Sequence, residues 1–392
     1  MHTAMHFSRK RCVAVAGLSA RMLAQSAARA GLDAIALDIF GDRDTREHAL
    51  AWFDIGGEGL AIDRTRLFDA LERAARMPRL LGFIVTSGLE PLMGEVYRHP
   101  RLPRLIGNDA EATASVRDPR RFFGLLDELG IAHPEVSFVR PANAHGWLAK
   151  RADGCGGVHV EAASSSESAA DTYYQRAAAG RSMSALFVGA RREATVIGFA
   201  EQLTVTAGKL PFVHAGSLGP VDLPCETAAA IHDAIRAIVS RTGLTGLNSI
   251  DFLLDRDAIR VLEINARPSS TLTLYEAVWP QSLLACHIDA CLHGRLPSSP
   301  PAPTRRAGQR VVFAPRGFTV PASFSDACHR DPACRDVPMP GTRIEAGQPV
   351  CTLVVTAPAI DAVTHKLQRQ SSLLLQRIET CHEPSHDVIS TG

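Results

Sequence analysis

A chain of 392 residues is long enough for two or three domains. Its 42 Lys and Arg residues against 41 Asp and Glu residues leave a formal net charge of only +1, so it lacks the basic field that holds a nucleic-acid backbone. With 46% hydrophobic, 21% charged and 6% aromatic residues, the composition is that of an ordinary globular protein and excludes disorder, fibrous repeats and a base-stacking platform.

The longest stretch without Asp, Glu, Lys or Arg covers residues 346–360, shorter than the ~20 apolar residues of a bilayer span. The N-terminal stretch MHTAMHFSRKRC has no apolar signal core. Nine cysteines, an odd number without a CxxC pair, read as reduced thiols of a cytoplasmic protein. Cys328, His329 and Cys334 lack the second pair that a structural zinc site needs. Arginine is the default cation, because only Lys10, Lys150, Lys209 and Lys366 are lysines.

In chain order, an apolar run from Val13, a Gly17-Leu18-Ser19 turn, a helix from about Ala20 to Ala30, a Gly31 stop and an apolar run to Phe40 predict a βαβ unit. The turn lacks the GxGxxG glycines, which argues against an NAD-dependent oxidoreductase. Leu80 to Glu90 predicts a further strand, and the first domain closes near Asn108 as an open parallel sheet. From Asp118 a capped helix presents Phe122, Leu125, Leu126 and Leu129 on one face, stops at Gly130 and leads through Pro134 into a strand.

Lys150 ends the next predicted strand, four residues before the turn Gly154-Cys155-Gly156-Gly157, and a strand over Val158 to Val160 follows. Such a turn exposes backbone N–H groups to phosphate oxygens and Lys150 supplies charge, although a plain hairpin is the competing reading. Pro211 to Pro220 reads as a glycine-rich, uncharged loop, either lining an acceptor pocket with His214 or lying on the surface.

Ser249 to Ser270 predicts two strands joined at Asp255 to Ala258. Glu263 and Asn265, two apart, share a strand face with Val261, while Leu262 and Ile264 pack the other. With an odd number of loop residues, Asp251 stands opposite Glu263, and two carboxylates with one amide oxygen outline a site for a hard cation such as Mg²⁺. A solvated strand face is the competing reading. Arg267, followed by Pro268, is a fork donor for phosphate or carboxylate. Leu296 to Thr304 holds four prolines and reads as a stiff linker, followed by a β-rich tail and a final helix from Ile360 to about Ile378.

The βαβ start, Lys150 with its glycine-rich hairpin, and Asp251 with Glu263-Ile264-Asn265-Ala266-Arg267-Pro268 resemble the ATP-grasp superfamily of ligases. The resemblance covers about Leu105 to Leu296 in motifs and the N-terminal 108 residues more loosely. It implies an α/β fold: a Rossmann-like parallel-sheet domain (1–108), an ATP-grasp α+β region (109–296, divided near 180), a linker (297–304) and a small β-rich appendage (305–392). It also implies ATP held by Lys150, Gly154, Cys155, Gly156 and Gly157, with Gln175, Arg176, Ala177 and Ala178 around the adenine. Asp251, Glu263 and Asn265 take the place of the ligands for Mg²⁺, or Mn²⁺ in its stead. Two departures from the family pattern stand out. Arg120 and Arg121 occupy the region where many members carry a second ATP lysine, and the connector has no acidic residue near Arg176.

The implied reaction is ATP-dependent ligation of a carboxylate to a small amine or amino acid through an acyl phosphate, with Lys150 and Arg267 as catalytic residues. A carboxyphosphate-forming ligase and an ATP-binding sensor without turnover are the alternatives. Small-molecule substrates, neither nucleic acid nor membrane, and a homodimer of the kind many relatives form complete the expectation.

Overall fold

The computed structural model describes residues 10–166 and 171–381; most of the stretch examined for a signal core, and the outer ends of the first and last ranges, lie outside these. The first region runs β1 (Cys12–Ala16), α1 (Arg21–Arg29), β2 (Asp33–Asp38), α2 (Arg43–His48), β3 (Ala49–Asp54), α3 (Arg64–Ala74), β4 (Leu80–Val85) and α4 (Met93–Arg98). Its strands form one sheet in the order β3-β2-β1-β4, parallel at every pairing. Central β1 is buried along its whole length, which explains its continuous apolar sequence: a parallel sheet covered on both faces needs no alternation. Edge strand β3 escapes the sequence reading although Ala49 to Phe53 is also an apolar run: it is only half-buried and follows α2 directly, with no turn between the two. Gly17 has a packing reason to be glycine, since a Cβ there would lie 1.8 Å from Thr86 Oγ1.

Next come α5 (Ala110–Arg117) and α6 (Pro119–Glu128). The Asp118 carboxylate caps α6 by accepting from the N–H groups of Arg120 and Arg121, and such a cap is worth about 1 kcal/mol. A small antiparallel sheet follows, built from β5 (Val136–Ser137), β6 (Trp147–Arg151), β7 (Val160–Ala162) and β8 (Thr172–Arg176) in the order β5-β8-β6-β7. The strand expected over Val158 to Val160 starts only at Val160, because Gly156 and Gly157 both hold positive φ and prolong the turn.

The remaining elements are β9 (Arg181–Ala190), β10 (Glu193–Ala207), β11 (Leu210–Val221), α7 (Cys225–Thr242), β12 (Gly246–Asp255), β13 (Ala258–Asn265), α8 (Leu272–Val278), α9 (Leu283–His293), β14 (Arg306–Phe313), β15 (Phe318–Thr319), α10 (Ala322–Arg330), β16 (Cys334–Arg335), β17 (Arg343–Ile344), β18 (Pro349–Ala357) and α11 (Ile360–Glu379). Eight of these strands make one antiparallel sheet in the order β13-β12-β9-β10-β11-β14-β18-β16. Pro211 to Pro220 is therefore no loop but part of an interior strand, β11. The residues after the proline-rich segment extend the same sheet through β14 and β18.

Two apolar cores set the position of the site. One joins Leu23 and Ala27 of α1 to Leu247 and Leu284, fixing the parallel sheet against β12 and α9. The other places Phe122, Phe123 and Leu126 of α6 against Phe187, Ile235, Phe252 and Val261, so that α6 and α7 cover the far face of the large sheet. Among the described residues no helix is long and apolar enough to cross a membrane.

Candidate active site

The hairpin of β12 and β13 closes through two residues, Arg256 and Asp257, with Asp255 paired to Ala258. An even loop would set Asp251 opposite Leu262. A bulge intervenes instead: Phe252 pairs with Val261 but Asp251 pairs with Glu263, so Leu262 is the extra residue. The expected pairing of Asp251 with Glu263 is present, then, for a different reason. Val261 is corrected too, since it packs with Ile250, Phe252 and Ile264 in the core and not beside Glu263.

Asn265 donates from Nδ2 to Asp251 Oδ2 at 3.0 Å, while Asp251 Oδ1 is buried without a hydrogen-bond partner. Burial first, and the neighbouring Glu263 charge second, push the Asp251 carboxyl up to about 6. Lys150 Nζ stands 3.7 Å from Glu263 Oε2 and donates to Gln175 Oε1 at 3.3 Å. Burial works against the charge on Glu263, but Lys150, His159, Arg117 and Arg267 outweigh it and hold that carboxyl below its usual range. For Lys150 burial is likewise overcome, by Tyr173 and then Glu263, and the ammonium is kept above the ordinary lysine value. The small sheet and the hairpin thus face one another across a buried charged layer, at a point where a carboxylate oxygen lacks a partner. That orphaned oxygen beside Glu263 and Asn265 is a donor set suited to a hard divalent cation. With two carboxylates and an amide it falls short of three His, Cys, Asp or Glu side chains, and among the described residues no group of three or more such side chains is gathered for a metal ion.

The glycine turn lies folded down over this layer. Gly156 accepts from the His214 N–H at 3.0 Å, and Gly157 sits so close to β11 that a Cβ would lie 1.8 Å from the Phe212 carbonyl oxygen. Gly154 leaves room for the His159 ring, 2.0 Å from where its Cβ would be. Cys155 reaches toward Gly88 and Glu90, and burial, followed by the Glu90 charge, pushes its thiol up to about 11. His214 approaches Ser270 at 3.4 Å, and burial together with Arg267 lowers its imidazole to about 4, so it is neutral at pH 7.

Arg267 forms a buried ion pair with Glu90, Nε to Oε1 at 2.8 Å, and donates from Nη2 to Asn265 Oδ1 at 3.2 Å. Glu90 belongs to the first domain, so this pair ties the two halves together at the site. Burial opposes its charge, yet Arg267 and Arg117 hold the Glu90 carboxyl below the usual range. The connector is divided. Gln175 is buried facing Lys150, whereas Arg176 turns outward over Trp147 and bonds the His145 carbonyl. The N–H groups of Arg176 and Ala177 are taken by the carbonyls of Glu135 and Gly146, and Ala178 follows at the start of the link to β9.

Sequence reasoning missed Arg117 and Glu90. Arg117 ends α5, and its Nη2 donates to the carbonyls of Ala152 at 2.7 Å and Gly154 at 2.9 Å, which brings a cation to the glycine turn. Arg120 instead stacks 4.3 Å over Phe138, and Arg121 pairs with Glu111. A basic residue directly before the Asp118 helix cap was the available signal.

Residues 116–271 match the family profile described as "ATP-grasp domain", and this segment belongs to that domain family. The whole fold is similar to a biotin carboxylase from Campylobacter jejuni, with TM-score 0.71, 15% identity and 96% of each chain covered. It is also similar to an L-amino acid ligase from Bacillus licheniformis, with TM-score 0.67, 12% identity, and 93% of this chain and 98% of that one covered. An N5-carboxyaminoimidazole ribonucleotide synthetase from Thermus thermophilus has TM-score 0.65 and 18% identity over 92% of this chain and 98% of its own. Among curated protein sequences none matches this chain.

Proposed function

We propose that the protein is an ATP-dependent ligase that joins a carboxylate to a small amine or amino acid, releasing ADP and phosphate. The observation that carries this reading is the juxtaposition of Asp251, Glu263 and Asn265 with Lys150 beneath a docked glycine turn. The similarity to an L-amino acid ligase and to a carboxylase domain crystallised with MgADP and bicarbonate agrees with it.

Amide formation from a carboxylate needs an oxygen leaving group. The carboxylate oxygen attacks the γ-phosphorus of ATP, the bond from that phosphorus to the β–γ bridging oxygen breaks, and ADP departs. The amine nitrogen then attacks the acyl carbon, inorganic phosphate is expelled and the nitrogen loses a proton. In this scheme Lys150 and the N–H groups of Cys155, Gly156 and Gly157 hold phosphate oxygens, that of Gly154 being taken by the Arg151 carbonyl, and Arg267 offsets charge on the transferring phosphoryl group or the tetrahedral oxyanion. Asp251, Glu263 and Asn265 hold Mg²⁺, which when bound neutralises polyphosphate charge. Docking of the glycine turn on β11 excludes water that would hydrolyse the acyl phosphate.

The test is nucleotide release from Mg·ATP by wild type and Glu263→Gln, offered a pool of amino acids and amines and, separately, bicarbonate. Pool-dependent ADP release that falls at least about a hundredfold in the variant is expected. AMP in place of ADP excludes the acyl phosphate. Bicarbonate dependence alone selects the carboxyphosphate route, and ATP binding without either product selects a sensor.

A further inference from the structure

Beside the charged layer, between the first domain and β13, lies a cavity of about 280 Å³. One end is formed by Asn265, Arg267, Arg117 and Glu90. The rest is walled by Ile84, Leu89, Met93, Leu105 and Ile106, with Tyr97 among them. Polar groups on these walls already have partners. Tyr97 Oη bonds the Asn108 carbonyl and Thr113, and the Asn108 amide bonds Asn248 and the Ala266 carbonyl. His287 uses both ring nitrogens, on the Leu247 N–H and the Ile106 carbonyl. The acids near the mouth are also engaged: Asp118 caps α6, Asp153 pairs with Arg151, and Glu90 receives Arg267 and the Gly88 N–H. Unspent capacity lies with the two guanidinium groups. Among the described residues, neither Nη1 of Arg267 nor Nη1 of Arg117 makes a hydrogen bond.

A chamber with apolar, internally satisfied walls and spare guanidinium donors at one end fits an anion with an apolar tail. It shares Asn265 and Arg267 with the charged layer, so an acid held there presents its carboxylate at the side of that layer where Arg267 bonds Asn265 and Asn265 bonds Asp251. We propose that this cavity is the acid-binding subsite and that it selects a monocarboxylate with an apolar tail of aliphatic or aryl character. The carboxylate lies against Arg267 and Arg117 and the tail lies among Leu89, Met93 and Ile106. This rests on the ligase reading above for the reaction, but not for binding. A second carboxylate on the tail would be buried among apolar walls without a partner, which costs far more than one misplaced methylene.

The experiment has a binding arm and a turnover arm. In the first, 3-phenylpropanoate, hexanoate and L-leucine are titrated calorimetrically, against L-glutamate and bicarbonate, into full-length protein saturated with Mg²⁺ and a non-hydrolysable ATP analogue. In the second, the same acids are compared by kcat/KM for ADP release with a fixed amine pool. The apolar acids are expected to exceed glutamate and bicarbonate at least tenfold in both arms. Met93→Trp, which fills the chamber from a half-buried position, is expected to weaken the bulky acids tenfold or more at unchanged affinity for the ATP analogue. A preference for glutamate or bicarbonate, or indifference of the bulky acids to Met93→Trp, overturns the subsite while leaving the ligase reading intact. Tight binding of the apolar acids with no ADP release from any acid overturns the ligase reading and upholds the subsite.

Discussion

Asp251 carries the clearest trade between stability and function at the residue scale. Its carboxyl titrates near 6 because it is buried and faces Glu263, so the folded state holds that proton more tightly than the unfolded chain does. An acid whose folded pKa is raised leaves stability intact below the unfolded value of about 4 and lowers it as pH climbs from there through about 6. Asp251→Asn removes the buried charge. Without bound ligands the variant is expected to be more stable than wild type by about 1 to 3 kcal/mol at pH 8, with the gain disappearing by about pH 4. Urea denaturation at both pH values measures this, and an unchanged or lower stability at pH 8 refutes it. The same substitution is expected to abolish Mg²⁺-dependent ADP release, because the oxygen left unpartnered for a cation is lost.

At the element scale the glycine turn behaves as a docked flap. It is tied to β11 by the Gly156 to His214 bond and to α5 by Arg117. Gly157→Ala meets two obstacles, a positive φ of 76° and the Phe212 carbonyl 1.8 Å from the new Cβ. The flap is therefore expected to lift from β11, raising amide exchange over residues 154–160 and at His214 at least tenfold, while the Tm stays within about 2 °C since the turn adds little to either core. Unaltered exchange at His214 would show that the docking is not held by this fit. This element was half legible in the sequence. The glycines and Lys150 mark a turn with the chemistry of a phosphate loop, but the strand it rests on carries glycines and prolines that read as a loop, and a contact across more than fifty residues leaves no local signal. The face proposed to hold the cation was legible in the residues it brings together and not in the cause of its register. Asp251 and Glu263 face each other only because Leu262 is extruded, and a bulge is fixed by packing of Val261 and Phe252 against α6 and α7, not by turn chemistry.

Over the whole molecule, the proline-rich stretch reads as a stiff linker to a small β-rich appendage, and the large sheet continues through strands of that appendage. Gly216 to Gly219 of β11 pair with Arg310 to Ala307 of β14, and β14 in turn pairs with β18 along its length. Gly308 is so close to α11 that a Cβ would meet Val363 at 2.4 Å, so that helix seals the sheet. The same tail returns to the first domain: Asp336 pairs with Arg21 at 2.7 Å, and Asp44 accepts from the N–H groups of Asp336 and Val337. These contacts link residues some three hundred positions apart, which no linear pattern discloses. They make the tail a structural part of the site's scaffold, because β11 is the strand on which the glycine turn rests. A chain ending at Thr304 would leave β11 as a long unpaired edge, Leu218 without its core and the Arg21 guanidinium without Asp336, the nearer of its two acids. Such a fragment is expected to aggregate on expression, or on refolding to lack a cooperative unfolding transition and to bind Mg·ATP at least tenfold more weakly than the full chain. A soluble fragment with one sharp urea transition and undiminished ATP affinity would mean that the sheet tolerates its loss, and that the tail's hold on β11 and the first domain is dispensable to the site.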